Sequence, residues 1–317
     1  MSILSINDLV IKFAVEDGIV HAVNNISLEL NQNEILGIVG ESGSGKSQTV
    51  LAIMGLLANN ALISGSIKFN NQELLGISKA KLNKIRGNEI AMIFQDPMTA
   101  LNPYLNIQTQ LIEPLLLHRC YTKSDAIAEA IRMLDFVKIH DARNKLKCYP
   151  HQLSGGMLQR VMIAMALLTK PKILIADEPT TALDVTVQTE ILDLINQLKV
   201  EFNMATILIS HDIGVILNVC DRVNVMYAGS IMERANVHDI FYKAKHPYTK
   251  ALLKSIPNQE SDILYPISGE PPNLLKLPNG CPFQERCENK FSKCTQGIFI
   301  KREFSNGHYI NCNLDES

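Results

Sequence analysis

The chain has 317 residues, 46% hydrophobic and 20% charged, the composition of a globular protein long enough for one large domain or two. A formal charge of −2 gives no basic footprint for nucleic acid. The amino terminus has no signal-peptide pattern, and apolar runs such as VMIAMALL (161–168) are too short to cross a bilayer, so a cytosolic chain is expected, where disulfides are disfavoured.

In ISLEL, Ile26, Leu28 and Leu30 alternate with Ser27 and Glu29, predicting a half-buried strand in a small antiparallel sheet. ILGIVG (35–40) is an unbroken apolar run suited to a strand covered on both faces, and a helix is predicted after it from Lys46 to about Leu57. Residues 96–168 read as mainly helical, with Ser124 as a cap and Ile127, Ile131, Leu134 and Val137 on one face. The apolar strands ILIAD (173–177) and TILIS (206–210) flank a helix with the stripe Ile191, Ile195, Leu198 and Phe202. Strands alternating with helices predict a parallel α/β fold. Beyond about Ala244 the chain turns Pro-rich and irregular, which sets a boundary between 1–244 and a small irregular extension, 245–317, containing four of the seven cysteines.

GESGSGKS, residues 40–47, satisfies the phosphate-binding pattern G-x4-G-K-[ST]. Gly40, Glu41, Ser42, Gly43, Ser44 and Gly45 supply the loop, whose backbone N–H groups point at phosphates, and Lys46, Ser47 and Gln48 open the helix behind it. Lys46 is expected on the β- and γ-phosphates of ATP and the Ser47 hydroxyl on Mg²⁺. ILIADEP ends a strand in two carboxylates at the ligand-binding rim of an α/β sheet. Asp177 is expected to hold Mg²⁺ through its water shell and Glu178 to act as general base on water. LSGGMLQR (153–160), taken by itself, is the capped start of an amphipathic helix. Cys281, Cys287, Cys294 and Cys312 are spaced C-x5-C-x6-C-x17-C; Cys120, Cys148 and Cys220 are scattered. Four thiolates suit zinc or a [4Fe–4S] cluster, either of which would fix a segment too poor in apolar residues to build its own core; disulfides or free thiols are the other options.

Taken together, these motifs resemble the ABC ATPases over about Ser5 to Gly229. LSGGMLQR resembles their signature, with Met157 where Gln is commonest. Gln95 in MIFQDP resembles the Q-loop, Asp184 closing TALD the D-loop, and His211 in LISHD the switch histidine. The resemblance implies a RecA-like parallel core with an antiparallel β subdomain and a helical subdomain over about 96–165. It also implies Mg²⁺ held through Ser47, Gln95 and Asp177, an aromatic at or near Phe13 on adenine, and His211 stabilising transition-state charge. Two cassettes would associate head to tail, with Ser154, Gly155, Gly156 and Asp184 of one facing the nucleotide of the other. QDPMTALNP, VMYAG and HPYTKALL resemble the peptide-uptake branch, and GEPPNLLKLPNGCPFQERC (269–287) resembles the ATP-binding subunits of oligopeptide permeases. That implies an ATPase powering oligopeptide import from the cytoplasmic face of the cell membrane. Its partners would be a second, homologous ATPase subunit in a heterodimer, two transmembrane permease subunits and an extracytoplasmic peptide-binding protein, with no nucleic acid. Dipeptide or nickel and metal-chelate uptake are the alternatives, and a soluble ATPase acting on nucleic acid is a distant one. Related peptide-permease subunits carry an iron–sulfur cluster in this tail, so the resemblance favours [4Fe–4S] over zinc.

Overall fold

The computed structural model describes residues 2–181, 184–256, 267–297, 301–304 and 307–314. They form two compact units, 1–76 with 208–317 and 77–207.

The first unit opens with β1 (Ser2–Val15) and β2 (Gly18–Asn31), an antiparallel pair with Leu4 opposite Leu30 and Phe13 opposite Val20. Ile26, Leu28 and Leu30 are buried while Ser27 and Glu29 face out, as the alternation predicts. Strand β3 (Ile35–Val39) is buried at every position. It leads through the Gly/Ser loop into α1 (Lys46–Met54). This helix stops before the expected Leu57 because Gly55 turns left-handed at φ 59° and returns its N–H to carbonyls of the last turn. Strands β4 (Ala61–Phe69) and β5 (Gln72–Glu73) complete a sheet in the order β2-β1-β4-β5.

The second unit begins with α2 (Lys79–Ile85) and β6 (Ile90–Ile93). Helices then follow one another as expected: α3 (Pro97–Ala100), α4 (Ile107–His118), α5 (Lys123–Phe136), α6 (Ala142–Lys145) and α7 (Gly155–Leu167). The cap of α5 is Thr122, whose Oγ1 accepts from the Asp125 N–H, and not Ser124. Its buried face runs through Ala126, Ala130, Met133 and Leu134, with Val137 just beyond, leaving Ile127 and Ile131 half-buried. Strand β7 (Ile173–Asp177) is wholly buried and pairs in parallel with β6. Helix α8 (Val185–Phe202) buries Ile191, Ile195 and Leu198, whereas Phe202 is half-buried and meets Phe136 edge-on at 5.9 Å.

Strand β8 (Ala205–Ser210) carries the chain back to the first unit. There α9 (Ile213–Val219), β9 (Arg222–Tyr227), β10 (Ser230–Asn236), α10 (Val237–Lys243) and α11 (Pro247–Lys254) follow. Strand β9 runs parallel to β3 and antiparallel to β10. The extension beyond 244 is stitched into this unit: β11 (Lys301–Glu303) pairs with β12 (Tyr309–Asn311), and β12 pairs with β10 through Glu233↔Ile310 and Arg234↔Tyr309. Phe283 of the extension is buried against Tyr227 and Tyr248, with ring centroids 5.3 and 5.2 Å away, so three aromatic rings form one core cluster.

Candidate active site

In the first unit the loop 40–47 folds as its composition demands. Gly45 caps α1 at φ 97°, and a side chain there would put Cβ 2.4 Å from the Ala22 carbonyl oxygen, so only glycine fits. Gly43, also left-handed at φ 76°, has nothing within 4 Å of where a Cβ would stand, so the loop keeps an open face for a ligand. The buried Lys46 ammonium donates to the carbonyls of Gly40 (2.7 Å) and Glu41 (2.9 Å) and lies 3.4 Å from Ser44 Oγ. A cation tethered across a ring of loop carbonyls, beside the positive end of a nine-residue helix, is an anion receptor. Ser47 and Gln48 are half-buried on the first turn of α1. His211, exposed, follows β8; Asp212 after it caps α9, accepting from the Gly214 N–H, while its own N–H donates to Ser210 Oγ. Phe13 is half-buried in β1, between Val20 and Ala61.

In the second unit Asp177 ends β7, 6% exposed, and Glu178 follows at φ 48°, a left-handed conformation unusual for Glu. Its Oε2 accepts from Gln95 Nε2 (3.1 Å) and Thr181 Oγ1 (2.9 Å), so the two residues singled out as general base and Q-loop glutamine touch. Ser154 caps α7 by accepting from the Met157 N–H, and the exposed Gly155 has open space around its Cβ position. Gly156 faces Val187. Asp184 caps α8 through the Val187 N–H; Ala182 and Leu183 of TALD lie outside the described residues.

In the extension, Cys281, Cys287, Cys294 and Cys312 line one small cavity together with the buried His246. The expectation of a metal there gains no support from geometry: among the described residues no group of three or more His, Cys, Asp or Glu side chains is gathered to hold a metal ion, and the cysteines are free thiols. Burial, together with the nearness of the other thiols, pushes the Cys281 thiol up to about 12 and those of Cys287 and Cys312 upward as well, so all three are neutral at pH 7. A single zinc ion needs four sulfurs about 2.3 Å from one point, and these thiols do not provide that cage.

Two contacts to the loop carry no sequence signal. Arg286 forms a bidentate pair with Glu41, and Tyr248 Oη accepts the Glu41 N–H at 3.0 Å. Both partners lie more than 200 positions downstream, beyond any local pattern.

Residues 23–181 match the ABC transporter family, and residues 232–294 match the C-terminal region of oligopeptide/dipeptide transporters. The oligopeptide transport ATP-binding protein OppD of Escherichia coli is 53% identical over 98% of this chain and 93% of its own length. That of Salmonella typhimurium is 55% identical over the same shares, and the dipeptide transport ATP-binding protein DppD of Bacillus subtilis is 47% identical over 99% and 95%. Among solved structures, a dimeric ATP-binding cassette in a post-hydrolysis state bound to ADP and Pi superposes with a TM-score of 0.67. It is 27% identical and covers 74% of this chain and 98% of its own. No helix among the described residues is long and apolar enough to cross a membrane. The chain belongs to the ATP-binding proteins of ABC transporters, in the oligopeptide and dipeptide transport branch.

Proposed function

We propose that the chain is the ATP-hydrolysing subunit of an importer that takes up oligopeptides, working at the cytoplasmic face of the membrane. One observation carries the hydrolytic part: a glutamate in a left-handed conformation immediately after β7, hydrogen-bonded by Gln95 and Thr181, in a chain with a complete phosphate-binding loop. Lys46 and the loop N–H groups bind the triphosphate of ATP, and Glu178 takes the proton of the attacking water. Mg²⁺ suits the hydroxyl, amide and carboxylate oxygens of Ser47, Gln95 and Asp177, and supplies charge neutralisation at the phosphates. Ser154, Gly155, Gly156 and Asp184 serve a second ATPase subunit across a head-to-tail interface, His211 steadies transition-state charge, and Phe13 or a neighbour flanks adenine. The helical segment 96–165 receives the permease, while the extension 245–317 stays with the cassette. Cargo comes from the branch: the oligopeptide transport ATP-binding proteins OppD of Escherichia coli and Salmonella typhimurium are 53% and 55% identical to this chain. Two permease subunits and a peptide-binding protein complete the complex.

Support for a [4Fe–4S] cluster in the extension comes from four cysteines lining one cavity and from the resemblance to peptide-permease subunits, not from a preformed metal cage. A brown protein with about four irons per chain after anaerobic purification, colourless as Cys287→Ser, is the expected result; an iron-free protein rejects the cluster. For the ATPase, Glu178→Gln is expected to bind ATP normally and lose at least ~100-fold in turnover. Hydrolysis near the wild-type rate in that variant would overturn the assignment.

A further inference from the structure

The guanidinium of Arg286 is held on every side in the first unit. Its side chain is 4% exposed. Nη1 donates to Glu41 Oε2 (2.6 Å) and Tyr227 Oη (3.2 Å), Nη2 to Glu41 Oε1 (3.0 Å) and the Ile267 carbonyl (3.0 Å), and Nε to the Ser268 carbonyl (3.0 Å). Each of the five N–H donors of an arginine thus has an acceptor. The group also lies against the rings of Tyr227 and Phe283, 5.8 and 6.0 Å from their centroids.

Its main partner is Glu41, the second residue of the phosphate-binding loop, and that residue is fixed three times over. The Glu41 N–H donates to Tyr248 Oη, its carbonyl accepts from Lys46 Nζ and the Ser44 N–H, and its carboxylate takes the bidentate fork. Two of these three anchors come from residues after 244. The charge argument points the same way. A carboxylate in a loop that receives a polyanion repels it, and the repulsion matters most where water is partly excluded, as it is around a side chain only 27% exposed. A guanidinium paired bidentately cancels that charge and holds the loop peptide in one orientation.

We propose that Arg286 is a positioning residue for the ATP site: the C-terminal extension supplies a guanidinium that neutralises Glu41 and sets the loop for the triphosphate. This deepens the reading of residues 40–47 as the phosphate cradle and rests on it. The extension therefore contributes to nucleotide affinity, although its cysteine cavity is lined by other residues.

The test is ATP affinity of the full chain by calorimetry, with KM and kcat of hydrolysis, for Arg286→Met, Glu41→Gln, the double variant and Arg286→Lys. Arg286→Met is expected to raise the ATP Kd tenfold or more and to act on KM far more than on kcat. Adding Glu41→Gln to it removes the unpaired carboxylate, and the double variant is expected to bind at least threefold more tightly than Arg286→Met alone. An extension that merely docks gives no such rescue. Wild-type affinity in Arg286→Met, or a double variant no tighter than the single one, overturns the proposal. If Arg286→Met does not fold, Arg286→Lys decides. It keeps the charge and loses the fork, so a Kd raised threefold or more is expected, and an unchanged Kd is refuting. Lys46→Ala separates the two levels: ATP binding that survives it sinks the cradle assignment itself, whereas binding lost there but untouched in the Arg286 variants sinks only the role of Arg286.

Discussion

Acid should destabilise the first unit through one histidine. His246 is 1% exposed, and its Nδ1 accepts the Tyr248 N–H as the cap of α11. Burial pushes its pKa from 6.5 down to about 4, with Lys250 adding to the depression and Glu233 opposing it. In the unfolded chain the ring takes up a proton as pH falls through 6.5, while in the folded chain it stays neutral until about 4. Between those values the unfolded state binds more protons, so stability is full above pH 6.5 and falls as pH drops toward 4. At ~1.4 kcal/mol per pKa unit the loss reaches about 3 kcal/mol by pH 4 and about 2 kcal/mol by pH 5. The assay is urea unfolding followed by circular dichroism at pH 7 and pH 5, comparing the wild type with His246→Asn. Asn retains an acceptor for the helix cap but cannot titrate. The variant is expected to be less stable at pH 7 and to lose about 2 kcal/mol less than the wild type on acidification. Equal pH sensitivity in the two proteins would refute the reasoning, because the other seven histidines are common to both.

Gly45→Ala places a Cβ against the Ala22 carbonyl at a left-handed position and should cost about 2 kcal/mol or more, read as a lowered melting temperature of the full chain. Arg160→Met removes the donor to the Val137 carbonyl (2.9 Å) and the partner of Glu190. A loss of about 1–2 kcal/mol is expected, mostly from the stranded carbonyl because Glu190 is half exposed, and a neutral result in urea titration contradicts it. Ser154→Ala removes the cap of α7 and should cost about 1 kcal/mol, visible as faster amide exchange at the first turn of that helix.

The sequence made the strands and the chemical motifs easiest to read, because their signals are short and local. ILGIV and ILIAD are apolar at every position or nearly so, and each is buried along its whole length. Helix details were less legible. Thr122 and Ser124 carry the same hydroxyl, and only the Asp125 N–H, 3.2 Å from Thr122, selects between them. On α5 the bulky Ile127 and Ile131 dominate the apolar pattern, yet Ala126 and Ala130 face inward with Met133 and Leu134, turning the buried stripe by one position. At the candidate site, Asp177 and Glu178 announce themselves at a strand end, whereas the left-handed backbone of Glu178 has no sequence mark. Arg286 and Tyr248 were out of reach for a different reason: they meet Glu41 only through tertiary packing, and nothing in their own neighbourhoods encodes it.

The extension resolves the problem of a poor apolar composition by borrowing a core rather than building one. Phe283 completes an aromatic cluster whose other members, Tyr227 and Tyr248, belong to β9 and α11. Strand β12 adds to β10, and His308 lies 2.7 Å from Glu233, a carboxylate buried completely in β10. Burial by itself would raise the pKa of Glu233. Its hydrogen bonds to His308 and to the N–H groups of Lys245 and His246 outweigh that and hold it below the usual carboxylate range. Every one of those donors comes from the chain after 244. Removing the extension would therefore leave the buried Glu233 without these donors, uncover the Tyr227 ring, and unpair Glu41 in the phosphate-binding loop. Three separate penalties fall on the cassette and not on the extension, so the ATP site and the tail have to be stable together.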